Sequence, residues 1–121
     1  MTSFGDMLAD QAEQQAWWRG EKAKEYPADG RNAASAKALR ELAEHLRGLP
    51  ENHPSLWRAE KEYQRGQPPM EDVIALSGAT SLLFSRYGFD RADETVDEFL
   101  QSLVKALVAD RDEEKREADL S

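Results

Sequence analysis

Apolar residues along this chain recur at helical spacing in five segments, and no stretch keeps the alternation of a half-buried strand. The first segment runs from about residue 4 to 26. Ser3 is placed to cap it, and Asp6 lies three residues on as a capping-box partner. Its stripe is Phe4, Met7, Leu8, Gln11, Gln15 and Trp18, poor in the middle and aromatic at the end, and Pro27 and Gly30 close it. The second, about 32 to 47, carries Ser35, Ala38, Leu39, Leu42, Ala43 and Leu46 on one face. Lys37/Glu41 and Arg40/Glu44 are expected to pair at i,i+4 on its outer face. Pro54 suits the first turn of a third helix, to about 65, with Leu56, Ala59 and Tyr63 inward, Trp57 beside them and Gly66 as its stop.

After Gln67-Pro68-Pro69, residues 70 to 87 read as a fourth helix of a different kind. Val73, Ile74, Ala75, Leu76, Leu82, Leu83 and Phe84 leave it no polar face in the middle. It is therefore expected to be the central helix, with helices two and five packed on it. Ser77, Ser81 and Ser85 form a small-residue stripe along it, where another helix backbone can approach. Gly88 ends this segment. The fifth, about 92 to 114, shows the broad face Val96, Phe99, Leu100, Leu103, Val104, Leu107 and Val108. The fold class expected is all-α, a single compact bundle of four to five helices over residues 1–109. Residues 110–121, almost all charged, are expected to fray.

Composition narrows the chemistry. The chain has 121 residues, enough for one real core. It has no cysteine, which removes disulfides, thiolate metal sites and thiol nucleophiles, and fits a cytoplasmic protein. No signal peptide is visible at its start, and no apolar run approaches the ~20 residues that span a bilayer. The net charge is −8, with 8 basic against 10 acidic residues in 1–60 and 8 against 14 in 61–121. Such a surface repels phosphate backbones, so nucleic acid is disfavoured as a partner and basic proteins are favoured.

Catalytic and metal chemistry finds little material. Of the two histidines, His45 falls on the polar side of helix two, and His53 stands just before Pro54, where a helix begins. Glu41-x-x-Glu44 and Glu94-x-x-Asp97 have the spacing of helical di-metal sites such as those of all-α nucleotide pyrophosphohydrolases. The phase of the apolar stripe turns Glu41 and Glu44 away from the core, however, and the run Asp93, Glu94, Asp97, Glu98 is explained by the dipole of the helix it opens. Asp110-Arg111-Asp112-Glu113-Glu114 lacks the glycine and Asp/Asn pattern of a calcium loop. Trp18-Arg19-Gly20 resembles the Trp-x-Gly signature of small secreted helical hairpins. Those carry it in a turn, whereas here it falls inside a helix. Residues 74–87 are similar to a helix-turn-helix but offer Leu82, Leu83 and Phe84 where base-reading side chains belong. No cofactor is implied.

One surface remains. Trp17 and Trp18 leave their helix about 100° apart, and only Trp18 continues the stripe from Phe4, so Trp17 is expected at the stripe's margin or outside it. Either Trp17 packs near Pro27 or Trp57, or it anchors an interface. The Gln-rich stretch before it, including Gln14, suits an interface that stays soluble when free. The expected function is a non-enzymatic protein-interaction or accessory protein, with Phe4, Gln14, Trp17 and Trp18 as the partner-binding set. Its partner would be a basic protein or a second copy of the chain. The competing reading is a small metal-dependent hydrolase or ligand-binding bundle using carboxylates.

Overall fold

The computed structural model describes residues 3–65, 76, 78–91 and 93–120. They form five helices: α1 (Phe4–Glu25), α2 (Gly30–Gly48), α3 (Pro54–Gln64), α4 (Gly78–Arg86) and α5 (Val96–Leu120). The chain is an all-α bundle, and among the described residues there is no strand. None of these helices is long and apolar enough to cross a membrane.

Local chemistry sets the helix starts. Ser3 Oγ accepts from the backbone N–H of Asp6, Asp29 accepts from that of Arg31, and His53 Nδ1 lies 3.5 Å from the N–H of Leu56 ahead of Pro54. The helix α1 lies antiparallel on α2: its start meets the end of α2 at Gly5 and Leu46, and Arg19 meets Asn32 near the other end. A Cβ on Gly5 would stand 3.0 Å from the Leu46 carbonyl oxygen, so the two backbones approach closely there. Farther along α1 the contact face is Ala9, Ala12 and Ala16, all buried. The stripe drawn through Gln11 and Gln15 is thus displaced onto the small residues beside them, because alanines at a tight crossing bury fully without contributing much apolar bulk.

The core joins Phe4, Met7 and Leu8 to Leu39, Leu42 and Leu46, and to Phe99, Leu100 and Leu103 of α5. Phe4 and Tyr63 are 5.7 Å apart, and Phe99 receives Phe84 and Tyr87 edge-on at 5.0 and 5.4 Å. Lys37/Glu41 and Arg40/Glu44 do not form ion pairs. Instead Arg47 bridges to Asp10 and Glu13 of α1, each at 2.9 Å.

Two expectations are corrected. Helix four does not run unbroken through residue 78, because Gly78 has φ +58°, which no helix interior accommodates. Of the expected helix of residues 70–87, residues 70–75 and 77, including Val73, Ile74 and Ala75 and the Ser77 end of the small-residue stripe, lie outside the described residues. Nor is α4 central: it buries Thr80 and Phe84, leaves Leu82 57% exposed, and the principal helix pair is α1 with α2. The segment expected to fray from residue 110 begins as part of the bundle. Helix α5 continues to Leu120, Asp110 caps α4, and Arg111 bonds the shielded Glu62 at 3.0 Å. Those two charges have partners on other helices.

Candidate functional site

The aromatic end of α1 is where side chains of sequence-predicted interest meet. Trp17 is 69% exposed and Trp18 40% exposed. With Gln14, Gln15 and Ser85 of α4 they line a shallow groove of about 480 Å³. Trp17 is thus not covered by Pro27 or Trp57. Phe4 stands apart from this group: it is 2% exposed, against Tyr63, and 13 residues of helix place it about 20 Å from Trp17 along the axis. Its role is core packing.

Two of the residues lining the groove, Trp18 and Ser85, are braced by a residue that the hydrophobic pattern passed over. Arg19 follows the tryptophans and is only 7% exposed. Its Nε and one terminal nitrogen donate to the Ser85 carbonyl at 2.9 and 2.6 Å, and the other donates to Asn32 Oδ1 at 3.0 Å. Its guanidinium lies 4.8 Å from the Trp18 ring and 4.2 Å from that of Phe89. Burial holds this guanidinium's pKa below its ordinary value and the nearby Arg86 adds to the effect, while Asp90 and Asp29 oppose it. Lys22 sits over both Trp18 and Tyr26, at 5.8 and 5.9 Å. Trp18 is held by cations on its face, and Trp17 stands free beside it. The signal available in sequence was positional, since residue 19 continues the 12–16 face by three, but a charged side chain there reads as solvent-facing.

The carboxylates of the competing reading do not converge. Glu41 and Glu44 are exposed on α2. Asp97 accepts from Ser55 Oγ at 2.6 Å and from Gln101 at 2.7 Å, which holds its pKa down, whereas burial raises that of half-buried Glu94. Among the described residues, no three His, Asp or Glu side chains gather as metal ligands would. His45 is exposed, and His53 serves as a helix cap.

Compared with protein-family models, curated proteins and solved structures, the chain matches none. Fold and site together define a class: an all-α bundle with an exposed aromatic groove where α1 meets α4.

Proposed function

We propose that the chain is a non-enzymatic, cytoplasmic protein-interaction module whose contact surface is the groove of Gln14, Gln15, Trp17, Trp18 and Ser85. The observation that carries this reading is Trp17, the most exposed large apolar side chain among the described residues, beside a Trp18 already fixed by Arg19 and Lys22. Burying a large apolar side chain is worth about 1.5–3 kcal/mol, and a partner that covers Trp17 collects that gain. Because Trp18 is ordered in advance, little rotamer freedom is lost on docking. Glutamines at the rim offer donors and acceptors without charge. The net charge of −8 favours a basic protein as partner.

A photo-crosslinking amino acid at position 17, introduced into the full chain in its own cells, tests this, with the same probe at position 44 on α2 as control. A discrete protein adduct, or a crosslinked dimer, at 17 and not at 44 is expected. Equal labelling at both positions, or none at either, would remove the proposal. Sedimentation of the purified chain and its Trp17→Ala variant separates a second copy from another protein.

A further inference from the structure

A second aromatic surface lies at the other end of α1 and has the opposite electrostatic character from the molecule as a whole. Trp57 of α3 is 54% exposed and neighbours Phe4 and Gly5 at the start of α1, so it stands a helix length from Trp17. Lys61, one turn on, places its ammonium 5.5 Å from the Trp57 ring. Arg58, Lys61 and Arg65 follow at i, i+3 and i+7, which puts three cations along one stripe of α3. Two grooves, of about 790 and 310 Å³, flank this stripe and share Pro54 and Arg58. The smaller is floored by Leu100 and Val104 of α5 and edged by Lys105.

The charge count is lopsided. Arg58, Lys61, Arg65 and Lys105 line the two grooves, and the one acid among their linings is Glu62. That carboxylate is only 12% exposed and already bonded by Arg65 at 3.3 Å and Arg111 at 3.0 Å. Among the described residues, Arg58, Lys61 and Lys105 have no carboxylate in ion-pair contact, although acids outnumber bases 24 to 16 in the chain. Isolated cations on an acidic protein usually find local acids. Among the described residues three are left together beside an exposed tryptophan and an aliphatic floor.

We infer that the α3–α5 face centred on Arg58 docks an acidic peptide segment of another protein, one whose carboxylates flank an apolar side chain. The carboxylates meet Arg58, Lys61 and Lys105, and the apolar side chain lies against Trp57 or over the part-exposed Val104. Charge complementarity selects this occupant. A long polyanion such as single-stranded nucleic acid would find the same cations but would have to run on past exposed Asp97, Glu98 and Asp93 at the start of α5, against the field of the whole chain. A short acidic segment can stop on the Lys61 and Arg65 side of Asp97, whose carboxylate is bonded to Ser55 and Gln101 at the edge of the smaller groove.

The test is selection of peptides from a random library on the full chain, followed by fluorescence anisotropy with a recovered peptide. Expected are sequences rich in Asp and Glu around a Leu, Phe or Trp. Their affinity should fall at least tenfold for Arg58→Gln/Lys61→Gln and for Trp57→Ala, and weaken as salt is raised. Trp17→Ala should bind like the parent, so this outcome is independent of the α1–α4 groove. Circular dichroism confirms that the variants fold; they alter exposed side chains. Failure to enrich any peptide, enrichment of peptides without acids, affinity unchanged in the Arg58→Gln/Lys61→Gln variant, or tighter binding of a single-stranded oligonucleotide than of the recovered peptide would each overturn the inference.

Discussion

Arg19 shows how one side chain decides the geometry of a surface. It replaces the water lost by the Ser85 carbonyl and by Asn32, and it stacks on two rings while doing so. Removing one partner of buried hydrogen bonds leaves the others unsatisfied, at about 1–3 kcal/mol per group. Arg19→Met should therefore destabilise the fold by about 2–4 kcal/mol in urea titration, and Trp18 should become more accessible to iodide quenching. Arg19→Lys should recover only part of this, because an ammonium cannot reproduce the planar fork that spans Ser85 and Asn32. A Lys variant as stable as the parent would show that charge alone is what the position needs. Gly88 is a second such residue. Its φ is +71°, and an added Cβ would lie 2.5 Å from Cβ of Ala38. Gly88→Ala should cost at least about 1 kcal/mol from the backbone alone. Ala38→Gly should relieve the Cβ–Cβ clash but not the 3.2 Å approach to the Ser35 backbone, so Gly88→Ala should cost less in an Ala38→Gly chain than in the parent, a difference that thermal unfolding of the four chains measures. Neither residue was recognisable in sequence as more than a turn glycine and a surface arginine, because what makes each indispensable is a contact from a helix far along the chain.

At the scale of an element, α4 is the informative case. Nine residues are too few to hold a helix in water by themselves. Both ends are instead supplied from other helices. At its start the Asp110 carboxylate of α5 accepts from the N–H groups of Ala79 and Thr80, at 2.7 and 3.0 Å, and from Thr80 Oγ1 at 2.7 Å. At its end Arg19 takes the Ser85 carbonyl, and Ser35 Oγ donates to the Tyr87 carbonyl. An anion at the N-terminus and a cation at the C-terminus both complement the helix dipole. Asp110→Ala should then cost about 1–2 kcal/mol, in the upper range for a lost cap, and hydrogen exchange of the Ala79 and Thr80 amides should accelerate more than that of α1. Uniform acceleration throughout the bundle would mean that α4 has no separate opening. The helices α1, α2, α3 and α5 were legible because each carries an apolar stripe and a local cap or breaker. The fourth was misjudged because apolar residues around Gly78 suggested continuity, while the determinants of its true start, Gly78 and Asp110, lie 32 positions apart in the chain. The candidate groove was legible in part: Trp17, Trp18 and Gln14 face it, whereas Phe4 fits the same stripe but belongs to the core.

Over the whole molecule the charges follow two rules that pull stability in opposite directions with pH. Asp29, Asp90, Asp97 and Glu98 have pKa values lowered by Arg31, Arg86, Ser55 and Arg91 respectively. Each contributes stability that is present above its unfolded pKa and is lost as pH falls through the folded one. The stability curve should therefore drop on the acid side. Glu94 runs the other way. Burial is the chief cause of its raised pKa, and Glu98 and Asp93 push in the same direction against Arg91. For an acid raised in the folded state, the unfolded chain gives up its proton first, so stability falls as pH rises through the interval between the two values. Glu94→Gln should consequently stabilise the protein at neutral pH, and that gain should shrink and vanish as the solution is made acidic enough to protonate the parent carboxyl. Urea unfolding of both chains at several pH values measures this. A gain that persists at low pH would assign the effect to packing, and a loss at neutral pH would mean that the attraction to Arg91 outweighs desolvation. Salt adds an independent check on the same ledger. At −8 the folded chain repels itself, and Arg58→Gln/Lys61→Gln takes the formal charge to −10 by removing two of the cations that offset it. That variant should lose more stability than the parent when ionic strength is lowered, and the difference should close once the Debye length falls to about 3 Å near 1 M salt.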